Sequence, residues 1–64
     1  MIVQVQVVRR GKVIFAVGCD SPILREYRNL VFTATQECGP GDAIRTVSED
    51  SPFYDRLGGR VDHR

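Results

Sequence analysis

The sequence predicts a small α+β domain: a ββαβ chain with one long helix packed on a small antiparallel-type sheet, followed by a short C-terminal helical turn. Three observations carry that expectation. Ile2 to Val8 alternates Val3, Val5 and Val7 with Gln4 and Gln6, the period of two expected of a strand with one buried and one wet face. Ile23, Leu24, Tyr27, Leu30, Val31 and Ala34 recur on one face of a period of about 3.6 residues. That pattern is punctuated at both ends, with Ser21 able to cap, Pro22 suited to the first helical position, and Gly39-Pro40 reading as a stop. A continuous helix over residues 21–38 follows.

Taken in order, Arg9 to Lys12 forms a turn in which Gly11 is free to take positive φ, and Val13 to Val17 follows as an almost wholly apolar second strand. With Arg10 and Gly11 as the two loop residues, Val7 faces Ile14, Val5 faces Ala16 and Val3 faces Gly18. Val13, Phe15 and Val17 then line the opposite side beside Gln4 and Gln6, where they need shelter from the C-terminal segment or from another molecule. The second strand is therefore expected to be central, with an edge of the first left open. Beyond the Gly39 to Asp42 loop, Ala43 to Ser48 reads as a third strand carrying Ile44 and Val47. Ser51-Pro52 repeats the capping arrangement ahead of Phe53, Tyr54 and Leu57, which gives a single helical turn or a packed loop. The domain spans residues 1–59, and residues 60–64 form a fraying tail. The expected core is Val3, Val5, Val7, Ile14, Ala16, Ile23, Leu24, Tyr27, Leu30, Val31, Ala34, Ile44 and Val47. A faint echo at an offset of 30 pairs Ile14 with Ile44, Val17 with Val47, and the Asp-Ser-Pro at 20–22 with that at 50–52. Asp-Ser-Pro is simply a good exit from a strand into a helix, and the matches are too few for a duplication.

An alternative architecture is a small all-β barrel. Val31, Phe32, Thr33 and Thr35 favour strands, so Leu30 to Glu37 pairs with Ala43 to Ser48 in this reading. Gly41-Asp42-Ala43-Ile44-Arg45-Thr46-Val47, followed by Leu57-Gly58-Gly59-Arg60-Val61, resembles the strand, loop and strand piece of KOW-type SH3-like barrels. The resemblance covers about a third of the chain. It implies a barrel of the kind that binds nucleic acid or protein in transcription and translation.

Size and composition narrow the function. A chain of 64 residues makes one domain and buries only about 60% of the surface its unfolded form exposes, so a second copy or another partner would stabilise it. No apolar run reaches the roughly 18 residues of a membrane span, and the N-terminus lacks the order of a signal peptide, which points to the cytoplasm. The formal net charge of +1 divides into +3 over residues 1–32 and −2 over residues 33–64. Cys19 and Cys38 lack the spacing of a zinc or redox motif. Joined through a helix they stand roughly 28 Å apart, beyond the 7 Å or so a disulfide allows, so both are expected as thiols packed as small hydrophobes. The sharper alternative is a reactive Cys19 with its pKa lowered by the positive end of the helix.

Chemistry has little to build on. The only histidine, His63, is penultimate, which argues against a catalytic triad or dyad and hence against an enzyme. Asp42, Glu49, Asp50 and Asp55 match no calcium loop, with Asp50 and Asp55 better placed to favour a short helix start. Gly39/Gly41 and Gly58/Gly59 lack the context of a phosphate loop. No catalytic, cofactor or metal site is expected. Two binding readings remain. In the first, the protein is a dimeric, non-enzymatic interaction module with Val13, Phe15, Val17, Phe53 and Tyr54 as apolar anchors. Its size suits a regulator or inhibitor of the phage or mobile-element kind, occluding a larger protein. In the second, Arg9, Arg10 and Lys12 at the hairpin tip converge with Arg25 and Arg28 of the helix on a nucleic-acid backbone.

Overall fold

The computed structural model describes residues 1–56 together with 59–60. They form β1 (Ile2–Arg9), β2 (Lys12–Asp20), α1 (Leu24–Glu37), β3 (Ala43–Ser48) and a two-residue β4 (Gly59–Arg60). The architecture is α+β, with one helix on one open sheet ordered β3-β1-β2-β4. β1 is antiparallel to both β2 and β3, and β4 adds parallel to β2. The sheet does not close into a barrel, and residues 30–37, the second hairpin of the barrel alternative, lie in the helix.

The hairpin turn is the expected one. Arg10 at φ 53° and Gly11 at φ 78° both lie in the left-handed region. A two-residue loop needs this if its twist is to match that of the strands, and Arg9 accordingly pairs with Lys12. The register beyond it is not the expected one. Between Val7 and Val8 the ladder slips by one residue, so that Val8 pairs with Val13 but Val7 pairs with Phe15, leaving Ile14 as an extra bulged residue. A slip of one exchanges the faces of everything that follows. Val7, Val5 and Val3 now sit opposite Phe15, Val17 and Cys19, while Gln6 and Gln4 sit opposite Ala16 and Gly18.

One face therefore becomes wholly apolar, and α1 lies on it over β1 and β2. Val5, Val7, Val17, Cys19, Leu30 and Ala34 form the core, with Phe15, Tyr27, Val31 and Cys38 packed around it. Of the residues expected inside, Ile14, Ile23, Leu24 and Ile44 are exposed. Ile14 is the bulge, Ile23 and Leu24 fall at the first turn of α1, and Ile44 lies on β3, beyond the helix. Ala16 and Val47 are buried, but on the opposite face.

The helix starts later than its capping signals imply. Asp20 still pairs with Ile2, and the Ser21 N–H donates to the Met1 carbonyl at 2.8 Å, with Ser21 itself at φ 45°. The strand thus uses up the residues expected to cap. The N-cap falls to Ile23, whose N–H is taken by the Glu26 carboxylate at 3.0 Å. The helix ends at Glu37, ahead of Gly39-Pro40 as expected.

The second face is not wet. Gln4 and Gln6 are 1% and 0% exposed, because residues 53–55 cross over them as a strap. Gln4 donates through Nε2 to the Asp55 carbonyl at 2.8 Å and accepts the Asp55 N–H at 2.9 Å. Gln6 donates to the Phe53 carbonyl and to Gln4 Oε1, each at 2.7 Å, and accepts from Arg45 Nε and an Arg45 terminal nitrogen at 3.0 and 2.7 Å. Where the sequence offers a helical turn or a packed loop, residues 51–54 close one hydrogen-bonded turn, Tyr54 N–H to the Ser51 carbonyl, and the chain runs on as the strap. Arg60, assigned to the tail by the sequence, pairs with Gly18. Leu57, Gly58 and residues 61–64 lie outside the described residues.

Leu30 is the largest apolar side chain fully enclosed between helix and sheet. Leu30→Ala is expected to destabilise the fold by about 3 kcal/mol, measured by urea denaturation, whereas a loss under about 1 kcal/mol would contradict the packing described.

Candidate docking edge

Strand β3 is the outer edge of the sheet, and among the described residues no strand pairs with its far side. The parity of the β1·β3 ladder fixes which of its groups face outward. Glu49 N–H donates to the Ile2 carbonyl at 2.9 Å, while the Ile2 N–H turns to the Glu49 carboxylate at 3.1 Å, so Glu49 faces β1, and by alternation Val47, Arg45 and Ala43 face Gln4, Gln6 and Val8 across the ladder. The N–H and C=O groups of Ile44 and Thr46 and the Ser48 N–H consequently point away from the sheet, while the Ser48 carbonyl accepts the Ser51 N–H at 2.9 Å. The open edge expected on β1 is on β3 instead, because β1 is paired on both sides.

Both faces of this edge carry fixed side chains. On the helix side Ile44 is 40% exposed, and the Tyr27 and Thr46 hydroxyls bond at 2.9 Å. On the strap side the Arg45 guanidinium, held by Gln6, lies 4.7 Å from the centroid of the Phe53 ring, a cation–π contact. Phe53 remains 60% exposed although its backbone is tied to Gln6. A large ring held from both ends and left facing water is preorganised for contact, since little side-chain freedom is lost when it is covered.

The apolar residues singled out from the sequence are divided by the fold. Phe53 is at this edge and Tyr54 is half-buried beside it in the strap. Val17 is buried and Phe15 packs against the core, so neither presents a surface, and Val13 is half-buried on β2. The shelter they were thought to need on the glutamine side is not required, because the bulge turned Phe15 and Val17 toward α1. Ile44, Thr46 and Arg45 were missed as site residues. The sequence offered only a short strand without Pro or Lys; that it is the free edge follows from the strand order.

The basic residues do not converge. Arg10 and Lys12 are exposed at the hairpin tip, whereas Arg25 and Arg28 lie in the first half of α1, at the end of the sheet where β1 begins. Arg9 is committed within the chain, donating Nε and a terminal nitrogen to the two Asp42 oxygens at 2.8 and 2.9 Å. This bidentate pair closes the α1–β3 loop onto the hairpin. The Asp42 side chain has no solvent exposure and also accepts the Gly39 N–H at 2.8 Å.

Among the described residues, no three His, Cys, Asp or Glu side chains gather as metal ligands. Glu49 accepts the Ile2 N–H, Asp50 bonds the Ser48 hydroxyl and Asp55 is tied to Gln4. Among the described residues, neither Asp50 nor Asp55 heads a helix. Cys19 is buried and Cys38 half-buried, and neither is in a disulfide. Among the described residues, no helix is long and apolar enough to cross a membrane. No family model, curated protein or solved structure matches the chain.

The Arg9 bonds first, then the Gly39 N–H, hold the Asp42 carboxyl below its ordinary value, while the same partnership raises Arg9. A carboxyl with a lower pKa folded than unfolded contributes stability above its unfolded value, and that contribution disappears as pH falls through the folded one. Wild type is therefore expected to lose stability on acidification from about pH 4 downward more steeply than Arg9→Gln, with urea midpoints at successive pH values as the readout. Parallel acid limbs for the two proteins would contradict this role for the pair.

Proposed function

We propose that the protein is a non-enzymatic protein–protein interaction module that takes up an extended segment of its partner along the outer side of β3. The supporting observation is the coincidence of outward-facing backbone donors and acceptors at Ile44 and Thr46, extended by the Ser48 N–H, with an exposed aromatic ring beside them that stacks on Arg45. Strand addition of this kind draws affinity from main-chain hydrogen bonds and selectivity from neighbouring side-chain contacts. Phe53, with Tyr54 next to it, supplies the apolar anchor. A chain of 64 residues acting in this way regulates or inhibits by occupying a larger protein's surface rather than by chemistry. The nucleic-acid reading has the exposed Arg10 and Lys12 behind it, but Arg9 is occupied by Asp42 and the helix cations lie at the far end of the sheet.

Affinity capture with the tagged full chain tests this reading, with the retained proteins quantified by mass spectrometry. A partner retained by wild type is expected to fall at least about tenfold with Phe53→Ala and with Thr46→Pro, which removes an outward-pointing N–H, whereas Tyr27→Phe, which removes only the hydroxyl bond that Thr46→Pro also loses, is expected to leave retention unchanged. Retention unchanged by both Phe53→Ala and Thr46→Pro would overturn the proposal. So would salt-sensitive binding to mixed-sequence RNA or DNA that is lost in Arg10→Ala plus Lys12→Ala, the behaviour of a phosphate-backbone binder.

A further inference from the structure

We infer that residues 53–55 are a lid: the strap lifts off the glutamine face on its own while β1, β2, β3 and α1 stay folded, and its closure is what sets Phe53 beside β3. Lid opening rests on the strap's own contacts; the switch it gives to β3 rests on the reading of that strand as the docking edge.

The face beneath the strap suits water as well as cover. Gln4 and Gln6 alternate with Val3, Val5 and Val7, the pattern of a strand with one solvated side, and across β2 they neighbour Ala16 and Gly18. Among the described residues, Ala16 and Val47 are the only apolar side chains buried on that face, whereas the core lies between the other face and α1. Lifting the strap therefore exposes little apolar surface, and water replaces the bonds that the two amides lose. The strap's own side chains add little to hold it. Phe53 is 60% exposed with the lid closed, Tyr54 is half-buried, and the flanking Pro52 and Arg56 are exposed.

The strap's backbone donors stay out of the sheet's ladder. The Phe53 and Tyr54 N–H groups turn back to the Ser51 hydroxyl and carbonyl, each at 3.1 Å, and the Asp55 N–H goes to the Gln4 side chain. Rotating two glutamine side chains away thus frees these groups and the Phe53 and Asp55 carbonyls without breaking a bond of the β1·β2 or β1·β3 ladder. A segment with few buried apolar contacts, tied to a core held by other bonds, opens locally rather than with the whole fold. Opening also dismantles the docking anchor. Arg45 reaches Gln6 from β3 and lies 4.7 Å from the centroid of the Phe53 ring, so ring and edge meet only when the strap is down. A partner seated on both binds the closed form and, by linkage, draws the lid shut.

Native-state hydrogen exchange of the full chain, followed through sub-denaturing urea, tests the lid. The Asp55 amide is expected to be protected relative to an open chain, yet at least about tenfold less than the Val5 and Val7 amides, and to be insensitive to urea while theirs lose protection steeply. Equal protection and equal urea dependence at the three amides would overturn the inference, because the strap would then open only with the whole fold. Gln4→Glu supplies a second readout. Its carboxylate has no donor for the Asp55 carbonyl and resists burial, but is at home on a wet face. The variant is expected to keep Val5 and Val7 protection within about tenfold of wild type while Asp55 exchanges as an open chain does, and to lose the nuclear Overhauser contacts between the Phe53 ring and the Arg45 side chain. Loss of Val5 and Val7 protection together with that of Asp55 would overturn the lid. Overhauser contacts that persist while Asp55 exchanges freely would remove the switch. No partner enters either measurement, so the docking edge itself stands or falls by affinity capture.

Discussion

Two buried glutamines hold this structure together in a way that no apolar contact could. A buried amide without partners costs about 1–3 kcal/mol, and here two side chains lie side by side on the central strand. Gln4 satisfies itself by gripping both the N–H and the C=O of Asp55, as a neighbouring strand would. Gln6 bridges Gln4, Phe53 and Arg45. The strap therefore needs the glutamines to satisfy its backbone, and the glutamines need the strap to be buried at all. Such a network is stabilising only when complete, which makes the placement of residues 53–55 specific.

The bulge at Ile14 is what permits this arrangement. Without the slip, Val13, Phe15 and Val17 would share a face with Gln4 and Gln6, and the strap would cross a surface of large apolar side chains and amides mixed together. With it, the helix receives an unmixed apolar face, and the glutamines receive Ala16 and Gly18 as neighbours, small enough for a backbone to pass close by. Gly18 is itself tightly placed, since a Cβ there would meet the Val3 carbonyl oxygen at 3.1 Å. A single extra residue in one strand thus sorts two chemistries onto two sides of the sheet.

The elements were legible in the sequence because each depends on local signals. Alternating Val and Gln marked β1, Arg10-Gly11 marked the loop, the spacing of Tyr27, Leu30, Val31 and Ala34 marked the helix, and Ala43 to Ser48 was bounded correctly. What escaped was the relation between elements. A bulge leaves no residue-type signature at Ile14, so the register could not be read. The polar face of β1 looked solvated because its cover comes from residues some fifty positions away. The same displacement hid the candidate site. Phe53 was visible as an anchor, but Arg45 could be recognised as its support only once the Gln6 bonds were in place, and β3 as the free edge only once the strand order was known.

Taken together, the strap serves both fold and surface, since the bonds that seal the second face also fix Phe53 beside β3. Side-chain amides, rather than a strand ladder, pin this segment. Native-state hydrogen exchange at the Asp55 amide, in wild type and in Gln4→Met, tests it most directly. Strong protection in wild type, lost in Gln4→Met while the Val5 and Val7 amides stay protected, is the predicted result. An Asp55 amide that exchanges in wild type at the rate of an open chain would contradict it.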